Sequence, residues 1–147
     1  MKAIMGFGFF LLFLAGIALV MLQGREMARQ NMPGGGASMT GTEWRPTVIG
    51  VREMPADSGM FVLFAVDGSI KGNGGCNNFF GALQKEGDGI AVGELGMTRK
   101  ACPTDIMDRE TAFIEALQGT NHFETGKDSL QLLNAENRML AELVAAD

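Results

Sequence analysis

Residues 72–102 read GNGGCNNFFGALQKEGDGIAVGELGMTRKAC, and this stretch constrains the fold more than any other in the chain. It holds both cysteines, a dense glycine turn, an Asn-Asn pair, two adjacent phenylalanines and two short alternating runs. Turn residues recur at intervals too short for an ordinary helix, so the stretch reads as strand, turn, strand, turn, strand. Cys76 falls near one end and Cys102 at the other. No catalytic constellation appears within it.

The N-terminal part is of a different kind. Residues 3–22 form a run of 20 without a charge, flanked by Lys2 and by Arg25 and Arg29. A helix of that length spans roughly 30 Å, the thickness of a hydrocarbon core. A cleaved signal peptide is the competing reading, with an apolar region of roughly 7–15 residues and a small-x-small cleavage site. Gly16-Ile17-Ala18 has that shape but would leave residues 19–22 as an apolar mature terminus, so residues 1–24 read as an uncleaved transmembrane anchor. The flanking positive charges are nearly balanced and do not fix its orientation. Residues 25–41 contain Pro33, three consecutive glycines and small polar residues, the composition of a flexible tether. The globular domain then covers 42–147. Beyond residue 40, nine Lys and Arg stand against sixteen Asp and Glu, a formal charge of −7. That balance argues against nucleic acid or an anionic membrane surface as partner, since both require a positive patch.

Within the domain, residues 42–51 read as a first strand interrupted at Pro46, with Trp44 as a core anchor. Residues 60–66 (MFVLFAV) form a continuous apolar run of strand length, which implies a central strand covered on both faces. Asp67-Gly68 predicts a two-residue type I′ hairpin. Residues 69–73, 79–85 and 90–95 continue an antiparallel meander. One helix follows, capped by Thr104 or Asp105, with Ile106, Phe113 and Leu117 on its buried face and Gly119 at its end. Residues 129–133 and 138–143 make a closing hairpin around the turn 134–137. The pattern is α+β.

GCNNFFG at 75–81, GELGMTRKAC at 93–102 and ETAFIEAL at 110–117 stand in order and together resemble the META domain of the heat-shock protein HslJ family. Each motif alone is weak; jointly they are specific, and the resemblance covers 42–144. It implies a strongly curved, partly barrel-like antiparallel sheet packed on one helix and sited in the bacterial envelope. It also implies a role in heat and novobiocin tolerance, with no enzymatic activity and no cofactor. Combined with the anchor, the expected location is the inner membrane with the domain in the periplasm, or the periplasm alone if the leader is cleaved.

The candidate site residues follow from that stretch. Cys76 and Cys102 are 26 residues apart. A bridge closing such a loop stabilises by roughly 3.5 kcal/mol in the chain-entropy account. An activated thiol at Cys102, just before a helix start, is the rival reading; an oxidising compartment favours the bridge. Asn77 fits a turn-forming role, with partner binding as its functional alternative. Phe79 and Phe80 point to opposite faces of a regular strand, so one belongs to the core and the other is a contact for a partner or lipid. Arg99 is expected to pair with an acidic neighbour such as Glu110, or else to serve in recognition. GNGG at 72–75 lacks the Lys-Ser/Thr of a phosphate loop. The single histidine, His122, reads as a strand-edge residue, since one histidine cannot build a metal site. The functional expectation is a non-enzymatic, membrane-tethered module that binds an envelope protein, with a carrier or sensor of an apolar ligand held inside the curved sheet as the alternative.

Overall fold

In the computed structural model, residues 37–86 and 89–146 are described; the expected membrane anchor and most of the expected tether lie outside them. Ten strands and one helix follow in order: β1 (Glu43–Ile49), β2 (Arg52–Glu53), β3 (Phe61–Phe64), β4 (Ser69–Asn73), β5 (Asn78–Glu86), β6 (Gly89–Val92), β7 (Gly96–Met97), α1 (Thr104–Gln118), β8 (His122–Thr125), β9 (Ser129–Leu133) and β10 (Met139–Ala145). The sheet is antiparallel throughout its named pairings, in the order β6-β5-β4-β3-β1-β10-β9-β8, with β2 beside β1 and β7 beside β5. Its two ends approach each other, where Ile90 N donates to the carbonyl of Asn121 at 2.7 Å. The result is a nearly closed, barrel-like sheet backed by one helix.

Period-two alternation sorts the side chains into an inner and an outer set. One inward row runs across five strands as Trp44, Val62, Gly72, Phe79 and Met97. Trp44, Val62 and Phe79 are buried, and Phe79 meets Phe113 of α1 edge-on with ring centroids 6.0 Å apart. Gly72 leaves room for that ring, because a Cβ there would lie 2.5 Å from Phe79 Cζ and press on the carbonyl oxygen of Phe61. On the helix side, Phe113, Ala116 and Leu117 complete the core with Phe64, Leu130, Leu132 and Leu143.

Several expectations change. The apolar run at 60–66 is covered on one face only: Met60, Val62 and Phe64 are buried, whereas Phe61 and Leu63 are half-buried on the outside. Its hairpin is not a two-residue type I′ turn. Gly68 alone has positive φ, Gly68 N bonds to Ala65 O, and Ala65 N bonds to Ser69 O, which is a type I turn closed by a left-handed glycine. Asp67 fixes the return by accepting from Ser69 N and Oγ, and these bonds hold its carboxyl below the usual range. The helix begins one residue earlier than a Thr104 cap requires and two earlier than an Asp105 cap: Pro103 is the N-cap and no side chain caps it. Proline supplies a fixed φ where no amide partner is needed. Residues 37–41, expected as tether, pack on the domain. Ala37 N donates to Lys127 O, Gly41 N to Phe64 O, and Trp44 Nε1 to Met39 O at 2.9 Å.

The Gly72–Phe79 fit gives a sharp stability test. Gly72→Ala should cost about 1–3 kcal/mol through overpacking, whereas Gly93→Ala, whose Cβ would find its nearest neighbour at an ordinary 3.5 Å, should shift stability by less than about 0.5 kcal/mol. Paired urea melts of the two variants compare them directly.

Candidate functional site

The motif residues converge on one buried carboxylate. Glu110 occupies the same helical face as Phe113 and Leu117 and is only 4% exposed. Its Oε2 accepts from the backbone amides of Cys76 and Asn77, and its Oε1 accepts from Asn77 Nδ2 at 2.8 Å. Gly74 makes the approach possible, since a Cβ there would stand 2.6 Å from Glu110 Cγ and 2.7 Å from Oε2. Three donors on one carboxylate offset the cost of its burial.

Asn77 is the second centre of this knot and is 3% exposed. Besides Glu110, its Nδ2 donates to Lys100 O at 3.3 Å. Its Oδ1 accepts from Thr98 Oγ1 at 2.9 Å and from Lys100 N at 2.7 Å. The amide therefore uses its whole bonding capacity, two donors and two acceptor positions. Residues 98–102 have no regular structure, and Asn77 ties them to the start of β5. The Cys76–Cys102 disulfide, with a Cα–Cα distance of 6.1 Å, closes the same loop covalently. Neither sulfur is free, so the activated-thiol reading of Cys102 has no thiol to act with.

These positions correct three expectations. Asn77 is an internal tie that no partner can reach. Phe79, one of the two contact candidates, is a core residue. Arg99 is exposed and forms no ion pair among the described residues, and Glu110 bonds to amides in its place. The sequence did carry a signal for Glu110. It lies four residues after Ile106, three before Phe113 and seven before Leu117, so a charge stands on the apolar stripe.

Phe80 is 64% exposed on the opposite side of β5 from Phe79. Its ring lies over Gly96 of β7, where a Cβ would meet the ring at 2.6 Å. Across the strands its row continues as Lys71, Leu63 and Glu43, and the adjacent row is Phe61, Asn73 and Asn78. Thr98 extends that second row: Asn78 N donates to its hydroxyl at 3.1 Å, and Thr98 N donates to Asn78 O. This outer face thus combines Phe80, Phe61 and Leu63 with Lys71 and leads into Arg99. The concave side of the sheet is filled by core side chains, and an open groove of about 510 Å³ lies outside it, lined by Arg45, Met54, Met60, Phe61 and Val144. His122 Nε2 sits 2.6 Å from Asn137 Oδ1 at the β9–β10 turn. Among the described residues no three metal-ligating side chains cluster.

Asn77→Ala and Glu110→Gln each leave buried donors without acceptors and should each destabilise by about 2–4 kcal/mol. Gln cannot serve three donors, because its own NH2 would face one of them. As both substitutions break one network, the double variant should fall well short of the sum. A double-mutant cycle by denaturant unfolding measures the difference.

The META domain family model matches residues 37–147, beginning where Ala37 first hydrogen-bonds to the domain. No curated protein matches the chain in sequence. Among solved structures, an NMR structure of a protein from Burkholderia xenovorans is similar, with a TM-score of 0.54 and 20% identity over 79% of this chain and 97% of that one. Another structure solved by NMR gives a TM-score of 0.57 at 18% identity over 72% of this chain and 90% of that one. Both likenesses concern the fold alone. The family match covers most of the chain and contains every residue of the Glu110–Asn77 knot: this protein belongs to the META domain family.

Proposed function

We propose that this protein is a non-enzymatic binding module of the bacterial envelope, displayed on the periplasmic side of the inner membrane by its apolar N-terminal stretch. It holds a protein partner on the outer face of β3, β4, β5 and β7. The role in heat and antibiotic tolerance implied by the family resemblance is part of this proposal. The observation that carries it is Phe80, a large aromatic left mostly in water on a face that also carries Lys71 and the half-buried Leu63 and Phe61. An exposed aromatic among polar groups, with further apolar side chains on the same face, suits a docking site.

Two further features support a surface site. The motif residues that look chemical, Cys76, Asn77 and Glu110, are fully engaged with one another. Trp44, Phe64, Phe79 and Phe113 fill the concave side, where an apolar ligand would otherwise sit. The disulfide suits an oxidising compartment.

A photo-crosslinking phenylalanine analogue placed at 80 in cells should trap a discrete partner. The same group at Val51, which is 98% exposed on the β1–β2 turn, should not. Phe80→Glu should abolish the adduct formed from a second crosslinker at Leu63 while changing stability by less than about 1 kcal/mol. Equal labelling from 51 and 80, or adducts unaffected by Phe80→Glu, would refute the docking face.

A further inference from the structure

The charges around Phe80 say what kind of partner this face takes. Three cations among the described residues are in ion pairs: Arg45 with Glu43, Arg109 with Asp105, and Arg138 with Glu136. Lys71, Arg99 and Lys100 are in none of these pairs, and all three are exposed. They flank the start of β5, with Lys71 on β4 to one side of it and Arg99 and Lys100 following β7 on the other. Lys71 is the cross-strand neighbour of Phe80, and Arg99 and Lys100 directly follow Thr98, which is bonded to Asn78 of the next row. Arg52 on β2 and Lys127 before β9 are likewise outside the ion pairs but lie elsewhere, and Arg52 neighbours Glu53 in sequence. Acidic groups close to the first three are Asp67, at the hairpin that leads into β4 and within the field of Lys71, Glu94, two residues before Gly96, and the buried Glu110, bonded to the Asn77 that holds Lys100.

We infer that the partner segment docked on this face is acidic and carries an apolar side chain, its carboxylates meeting Lys71, Arg99 and Lys100 while the apolar group covers Phe80. This deepens the docking reading above and rests on it. The domain as a whole carries a formal −7, so an acidic segment is repelled over most of the surface and attracted at this face. Such a contrast supplies orientation and selectivity, and the apolar step between Phe80 and Gly96 supplies the anchor. An anionic bilayer is the weaker occupant. Stable lipid adsorption through charge uses about four to eight clustered Lys or Arg, and this face offers three, with Asp67 and Glu94 close by.

The test uses the full chain, isotopically labelled in zwitterionic micelles and titrated with a synthetic peptide alternating Glu with Leu. The expected result is saturable shifts at Leu63, Lys71, Phe80, Gly96 and Arg99. Affinity should fall tenfold or more in Lys71→Glu/Arg99→Glu and weaken as salt is raised. A peptide alternating Lys with Leu should not compete. Absence of saturable shifts, shifts centred on Arg52 or Lys127, or equal binding of the Lys peptide would overturn the inference. In a parallel arm, vesicles of phosphatidylcholine with and without phosphatidylglycerol are compared for wild type and the double variant. A phosphatidylglycerol-dependent gain lost in that variant would reassign the face to lipid. Failure here with successful crosslinking at 80 rejects an acidic partner and leaves the docking face standing; failure of both rejects the face itself.

Discussion

One carboxylate, that of Glu110, holds the distinctive half of this fold together. The helix brings it under the loop before β5, and there it receives two backbone amides and the side-chain amide of Asn77. Asn77 in turn fixes residues 98–100 through Thr98 and Lys100. Helix, sheet and irregular segment are thus joined at a single buried point. Because a buried charge stripped of its donors is costly, the arrangement is cooperative: losing one member exposes the others to the full desolvation penalty. The disulfide reinforces the same loop by limiting the unfolded chain rather than by adding a contact to this network.

From that anchored start, β5 sends its two phenylalanines in opposite directions, and a glycine accommodates each. Gly72 makes space for Phe79 against the helix, and Gly96 lies under Phe80 on the outside. The inner ring belongs to the core shared with Trp44 and Phe113. The outer ring is 64% exposed, while Phe61 and Leu63 on the same face are half-buried. A face of this kind gains little for the folded domain by itself, which is the physical reason to look there for binding.

The sequence was most informative where periodicity is local. Alternation placed Phe79 and Phe80 on opposite faces, and the strand pairs expected from the runs at 79–85 and 90–95 and around the turn 134–137 form. It was least informative where a residue's role depends on a distant part of the chain. Glu110 stands out only as a charge on an apolar stripe, and its partners stay hidden until the loop at 74–77, more than thirty residues earlier, is placed beside it. Strands β2 and β7 have two residues each, too few for any pattern. The run at 60–66 misleads because continuous hydrophobicity cannot distinguish a strand covered on both faces from one half-exposed on its outer side. Asp67-Gly68 signalled a turn correctly but not its length, which the pairing of Leu63 with Lys71 sets.

The family motif thus holds a structural part, gathered around Glu110, beside the exposed face around Phe80 that we propose as the working surface. Native-state hydrogen exchange at the amides of Cys76 and Asn77 tests that division most directly. If Glu110 binds them as an integral element of the fold, both should exchange only through global unfolding, with protection equal to that of Val62 and Leu143 in the sheet core. Exchange of these two amides through a much cheaper local opening would contradict the account and would return Asn77 to the residues a partner can reach.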